Sequence, residues 1–294
     1  MELNKEQQIT FKKQLLETYD AFYKFCKENN LKFYAAWGTA IGAVRHHGII
    51  PWDDDIDVLM PEEDYLRFCS LKESVKGSGY EIIDTYTRNY YCFFSKFAST
   101  SNSIWEFKGH PIIFGTYIDV FPIYDVSGSY EEIKRVYNRY AKLANYFYIF
   151  SNKTSFREAC KSLSKGQIIN FLKQIIKLVI FPVALLVVRN TLQRCFTLDK
   201  NGTHYYISPS NNASSLKSHM FLKSWFSQVT EVPFEGRLIP LPVGYDEMLR
   251  CTFGDYMTPP PESERVSHHA HYYINLDRRV TIEEANKIIE NNEA

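Results

Sequence analysis

The chain has 294 residues, and its 34 Lys plus Arg balance 34 Asp plus Glu, so it carries no formal net charge. That balance argues against nucleic acid as a partner, which needs a basic excess. A content of 45% hydrophobic and 23% charged residues argues against intrinsic disorder, and the length suits one large domain or two smaller ones.

Met1 to Asn30 is polar and lacks the apolar run and cleavage site of a signal peptide, which predicts a cytoplasmic protein. Phe11, Leu15, Tyr19, Phe22 and Cys26 recur at intervals of three or four, the spacing of one helix face over residues 5–29. Lys32 to Trp37 reads as a strand bounded by Gly38. Ile56 to Met60 reads as a second strand ended by Pro61, and Glu62 to Leu71 as a helix with an acidic start. Tyr80 to Asp84, Tyr91 to Ala98 and Thr116 to Phe121 bring the sheet to about four or five strands, and Ser129 to Phe150 reads as a long helix.

Gln167 to Val188 is strongly apolar but includes Lys173, Lys177 and Pro182. Three readings compete. One is a buried helix pair broken near the proline. Another is a helix lying on a membrane surface with its lysines snorkelling. The third is a spanning helix, which two lysines near its middle disfavour. Further on, Glu231 to Pro242 reads as a hairpin turning at Glu235-Gly236, and Tyr245 to Phe253 as a helix ending at Gly254. Met257 to Glu264 is proline-rich and extended, and a capping box from Thr281 to Glu284 opens a last helix.

Six scattered cysteines without a CxxC pair read as reduced core residues. The His268-His269-Ala270-His271 cluster has no Cys or HExxH pattern nearby and is a weak zinc signal.

One stretch carries chemistry. Gly38 and Thr39 follow a strand and precede a run that can start a helix. A glycine lets the backbone approach a ligand, and helix-start amides favour phosphate. Thr39 offers a hydroxyl and Arg45 a planar fork for phosphate oxygens. An ordinary turn explains Gly38-Thr39 equally well. The acidic run Asp53-Asp54-Asp55-Ile56-Asp57 then enters apolar residues. If Asp55 to Val58 is a strand, Asp55 and Asp57 share a face. Paired carboxylates repel unless a cation lies between them, and oxygen ligands suit Mg2+ or Mn2+. Asp119, alone in an apolar strand, is costly there unless it joins that pair as a ligand or as a base. The set follows phosphoryl-transfer logic.

The run GTAIGAVRHHGIIPWDDDIDVLMPEEDY closely resembles the LicD family, which includes fukutin-like proteins. The resemblance continues at Lys96 in FFSKFASTSNS, at IDVFP around Asp119, at Val232-Pro233 and in VGYDEMLRCTFGDYMTPPPESERVSHH. It covers roughly residues 30–125 and 230–270; residues 130–225 carry no matching motif. It implies an α+β fold with a nucleotidyltransferase-like mixed sheet flanked by helices. The parts would be a catalytic core over 1–128, a largely helical insertion over 129–226 and a C-terminal part over 227–294 that completes the site.

The resemblance also implies transfer of a phospho-alcohol, typically phosphocholine, from a CDP-alcohol such as CDP-choline to a glycan hydroxyl. The acceptor would be a cell-surface glycan or a teichoic-acid or lipopolysaccharide-type precursor, including a lipid-linked one; the apolar segment 167–188 adds the expectation of peripheral contact with the inner membrane face, where such acceptors sit. Asp55, Asp57 and Asp119 would hold Mg2+ or Mn2+, with Asp119 completing the site or activating the acceptor. Gly38, Thr39, Arg45 and Lys96 would cradle the donor phosphates. Asp53 and Asp54 would stand behind the metal or bind the alcohol. Trp37, Trp52 and Tyr117 are candidates for an aromatic surface against a quaternary ammonium, or are core residues. Arg265, His268 and His269 either reach the site or fix their own loop. Two rival readings remain: a nucleotidyltransferase attaching NMP to a small acceptor, and a non-catalytic module of a glycan-assembly complex.

Overall fold

A computed structural model describes residues 3–151, 156–192, 204–209, 212–266 and 271–293. In chain order the elements are α1 (Lys5–Glu28), β1 (Tyr34–Ala35), α2 (Trp37–His46), β2 (Asp57–Pro61), α3 (Glu62–Ser70), β3 (Tyr80–Ile83), β4 (Ser95–Ser99), β5 (Ser103–Trp105) and β6 (Tyr117–Ser127). There follow α4 (Tyr130–Ser151), α5 (Phe156–Ser164), α6 (Ile168–Leu192), β7 (His204–Ile207), β8 (Met220–Leu222), β9 (Val229–Phe234), β10 (Arg237–Pro242), α7 (Tyr245–Phe253), β11 (Tyr273–Asn275) and α8 (Ile282–Glu293). The fold is α+β, with helices around a mixed sheet.

The sheet runs β1-β2-β6-β4-β3. Within it β2 and β6 are parallel, while β1–β2, β4–β6 and β3–β4 are antiparallel. The far half of β6 leaves these neighbours and pairs with β7, which pairs with β8. The expected strand at Thr116–Phe121 is thus the start of an 11-residue one.

Helix α1 forms as its apolar spacing predicts. Asn4 and Gln7 close a reciprocal capping box at its start, and Phe11, Leu15, Tyr19, Phe22 and Cys26 are all buried. Phe22 meets Phe33, Phe68 and Phe97 edge-on at 4.9, 6.1 and 5.6 Å between centroids, which pins α1 to the sheet. One core unites residues of the first 123 positions with Phe221 to Ile274; a second gathers Tyr124 and Val126 with α4, Val188 and Leu192.

The hairpin turns at Glu235-Gly236 as expected. Both residues have positive φ, 51° and 74°, the backbone of a two-residue turn that matches strand twist. The capping box at Thr281 and Glu284 is present, with α8 starting at Ile282. Near the C-terminus β11 pairs with β5, so this part of the chain returns to the first half of the molecule. The cysteines among the described residues are free: Cys26 is buried, whereas Cys160 is exposed.

Several local expectations shift. The strand at Lys32–Trp37 shortens to two residues because Trp37 already opens α2. The strand expected from Tyr91 begins only at Ser95. Residues 257–264 are irregular, with one 3-10 turn at Glu262–Glu264. Gln167–Val188 is not a buried pair broken at Pro182. Helix α6 runs through the proline, and of its side chains only Val188 and Leu192 are buried. By length and composition α6 is long and apolar enough to cross a membrane.

Candidate active site

Three strands bring the site into one row. Parallel pairing sets Asp57 opposite Asp119, and antiparallel pairing sets Lys96 opposite Asp119. Adjacent strands of a sheet lie about 4.8 Å apart, so these side chains are neighbours. Asp55 joins from just before β2 rather than from within it, so alternation along a strand is not what brings it beside Asp57. Carboxylate oxygens of Asp55, Asp57 and Asp119 all lie within 4.8 Å of one another. Asp53, Asp54 and Asp55 satisfy the same criterion, so Asp55 belongs to both groups.

Helix α2 frames the acidic run. Gly38 stands at its second position, and a Cβ there would take the space of the Asp53 carboxylate, so a larger residue would displace that side chain. The first turn of α2 has no acidic residue and no side-chain cap. The positive end of the helix dipole therefore lies beside the Asp53 carboxylate. Trp37 adopts φ +43°, a left-handed conformation costly for a bulky residue, where the strand gives way to the helix. Thr39 is buried, and its Oγ1 accepts the Asp57 N–H at 2.8 Å. Its hydroxyl therefore ties α2 to the start of β2.

Lys96 is 2% exposed. Its Nζ donates to Asp119 Oδ1 at 2.7 Å and lies 3.7 Å from Glu106 Oε1. It also rests 3.4 Å from the centre of the Tyr117 ring, a cation–π contact in a dry setting. Glu106 was not anticipated. It is buried, and it accepts hydrogen bonds from Tyr117 OH at 2.6 Å and from Tyr91 OH. The only local sign was one acidic residue in the aromatic run Trp105-Glu106-Phe107.

The charge balance of the row is unfavourable without a cation. Burial, then Asp55, Asp119 and Asp53, push the Asp57 carboxyl well above the usual carboxylate range, and Lys96 only partly opposes them. The all-oxygen donor set fits a hard divalent ion.

An aromatic wall adjoins the lysine. Phe121, two residues beyond Asp119 on the same strand face, stacks at a tilt on Phe94 at 4.1 Å and meets Trp37 edge-on at 6.3 Å. Lys96 lies 5.6 Å from the Phe94 ring. Of the three aromatic candidates, Trp37 belongs to this wall and Tyr117 lies buried under Lys96. Trp52 carries the Arg265 guanidinium over its ring at 5.3 Å.

Arg45, at the other end of α2, donates from Nη1 to the Tyr256 carbonyl at 2.5 Å. Burial, and then the nearby Arg265 charge, lower its proton affinity. Arg45 and Arg265 thus come together beside Trp52, which directly precedes Asp53. Arg265 Nε also donates to the Pro260 carbonyl at 2.9 Å. His268 and His269 lie outside the described residues.

The profile described as LicD/FKTN/FKRP, nucleotidyltransferase domain, matches residues 30–158, which include all the aspartates above and Lys96. The chain is similar to the lipopolysaccharide cholinephosphotransferase LicD of Haemophilus influenzae, with 29% identity over 269 residues, 90% of this chain and 95% of that one. Shorter similarities reach an uncharacterised protein of Rickettsia typhi, 42% identical over 60 residues, 20% of this chain and 19% of that one. Another in Rickettsia prowazekii is 37% identical over 68 residues, 23% of this chain and 25% of that one.

Proposed function

We propose that this protein is a LicD-family enzyme that transfers phosphocholine from CDP-choline to a hydroxyl of a lipopolysaccharide-type glycan, a reading supported by the match of residues 30–158 to the LicD/FKTN/FKRP nucleotidyltransferase domain. The observation that carries the reading is the row of Asp55, Asp57 and Asp119, with Thr39 of α2 tied to the Asp57 N–H. Similarity across 90% of the chain to a lipopolysaccharide cholinephosphotransferase supports the choice of alcohol and acceptor.

Asp55, Asp57 and Asp119 would hold Mg2+ or Mn2+. When bound, such an ion supplies positive charge against the donor pyrophosphate. The α2 amides at Gly38 and Thr39, with Arg45 and Arg265, would bind donor phosphates. Lys96 and Thr39 have partners inside the protein, so we assign them to positioning: Lys96 orients Asp119 and the Thr39 hydroxyl orients Asp57. The acceptor oxygen attacks the phosphorus that bears choline, the bond to the CMP oxygen breaks, and CMP leaves. The acceptor proton passes to Asp119, whose Oδ1 is steadied by Lys96. Phe94, Phe121 and Trp37 offer π faces, and Asp53 and Asp54 offer negative charge, both suited to a trimethylammonium group.

The test begins without acceptor. Thermal shifts in Mg2+ are compared for CDP-choline, CDP-ribitol, CDP-glycerol, CDP-ethanolamine, CTP and ATP. A ligand at about 100 times its dissociation constant adds roughly 2.7 kcal/mol. A shift with CDP-choline that disappears in Asp55→Asn supports the transferase. A shift with CTP or ATP alone would replace it with a nucleotidyltransferase, and full activity in Asp57→Asn would overturn the site.

A further inference from the structure

Helix α6 leaves one side uncovered. Ile169, Leu172, Ile176, Val179, Val183 and Leu186 follow one another at intervals of three and four, so they form a single stripe. They are 52–70% exposed. The opposite side is engaged: Val188, Leu192 and Leu185 pack in the core formed with α4, and Phe181 meets Phe150 edge-on at 4.8 Å. Helices α4 and α5, which pack against α6, also expose Tyr146, Ile149, Phe156 and Leu163. An exposed apolar stripe of this kind marks an interaction surface.

Charge identifies the occupant. Residues 130–192, which span α4 to α6, carry eleven Lys and Arg against Glu131, Glu132 and Glu158, in a chain whose total is balanced. The segment that carries the apolar stripe is therefore basic, and the acidic residues that balance it lie elsewhere in the chain. Helical spacing puts Lys173 and Lys177 on one flank of that stripe, where an ammonium can stay in water while the stem lies along apolar surface. We propose that α6 is a docking helix that lies in the headgroup region of an anionic phospholipid bilayer, with its stripe in the acyl boundary.

Two other occupants fit less well. A second copy would bring two net-basic segments together, each with eleven Lys and Arg against three acidic residues. A spanning orientation would need about 20 predominantly apolar residues. Helix α6 meets that length, but Lys173 and Lys177 would then lie within the hydrocarbon, where a charge is costly. Core packing of Val188 and Leu192 on α4 also holds the helix against the domain. An in-plane amphipathic helix meets both constraints. This inference is independent of the reaction proposed above, because vesicle binding needs neither donor nor acceptor.

The test is flotation of the full chain with phosphatidylglycerol vesicles and with pure phosphatidylcholine vesicles. Binding is expected to the anionic vesicles, at least tenfold above the zwitterionic ones, and to weaken in 0.5 M salt. Val179→Glu with Val183→Glu places charge only on the exposed stripe and should cut binding at least tenfold at an unchanged melting temperature. Lys173→Glu with Lys177→Glu should reduce it through charge alone. The proposal is overturned if the chain floats with neither vesicle, or if it floats equally with both and ignores the variants. Resistance to alkaline carbonate would mean a spanning helix instead. A dimer in sedimentation that Val179→Glu with Val183→Glu dissociates, without vesicle binding, would mean that a second copy covers the stripe.

Discussion

Lys96 and Asp119 stand opposite each other on antiparallel neighbours, with Nζ 2.7 Å from Oδ1 and both side chains buried. The lysine has a second carboxylate, Glu106, at 3.7 Å. One buried cation therefore organises two carboxylates and, through Glu106, two tyrosine hydroxyls.

Removing that cation should be costly. Lys96→Met leaves Asp119 and Glu106 without their shared counter-charge, and breaking a buried pair from one side typically costs about 3–5 kcal/mol. Glu106→Gln should cost less, and the double variant should depart from additivity by at least about 1 kcal/mol. Urea unfolding of the three variants measures this. A cost below about 1 kcal/mol for Lys96→Met would show that the network does not hold the sheet together.

Gly38→Ala should keep the fold but displace the Asp53 carboxylate, which occupies the space a Cβ would need. A misplacement of about 1 Å can cost on the order of a hundredfold in rate. Transferase assays alongside melting curves decide the matter: normal activity in Gly38→Ala would mean that the acidic run need not rest on α2.

Glu235 couples the hairpin to the loop after α2. Its Oε1 accepts the Ile49 N–H at 3.0 Å and pairs with Lys12 at 2.7 Å. Glu235→Ala should destabilise by about 1–2 kcal/mol, chiefly by leaving that amide without its acceptor. An unchanged denaturation midpoint would assign the loop's position to Glu235 N–H bonding His47 O alone, a backbone contact of 2.9 Å that the substitution keeps.

Acid should weaken the protein through His110. Burial pushes this imidazole down to about 4, with a backbone contact at Ser151 pulling the other way. An unfolded chain holds it near about 6.5. As pH falls, the unfolded state takes the proton first, so protonation favours unfolding. This stabilisation is complete above about pH 6.5 and is lost as pH drops towards 4, by no more than about 3 kcal/mol. His110→Phe, with Tyr91 at 4.4 Å and Tyr148 at 4.8 Å still beside the ring, should flatten that part of the profile. Parallel profiles for the variant and the parent would remove His110 as the cause.

Much was legible where the deciding forces are local. The buried face of α1 follows from the spacing of Phe11 to Cys26, because a helix repeats every 3.6 residues whatever surrounds it. Glu235-Gly236 announces its turn because both residues must take positive φ. The acidic run and Asp119 marked carboxylates that belong together, and the structure brings oxygens of Asp55, Asp57 and Asp119 within 4.8 Å of one another.

The tertiary structure decided the rest. Asp55 stands outside β2 and reaches Asp57 and Asp119 through the path of its loop, so strand periodicity could not place it. Lys96 looked like a phosphate ligand in sequence, yet its buried ammonium is held by Asp119 and Glu106. Glu106 arrives there only because β5 folds back near β4 and β6. The uncovered stripe of α6 is the clearest case. Its apolar residues are plain in the sequence, but whether they face a core or solvent depends on which helices pack against them. Local periodicity repeats along one chain segment, whereas burial and ion pairing belong to contacts between segments distant in sequence.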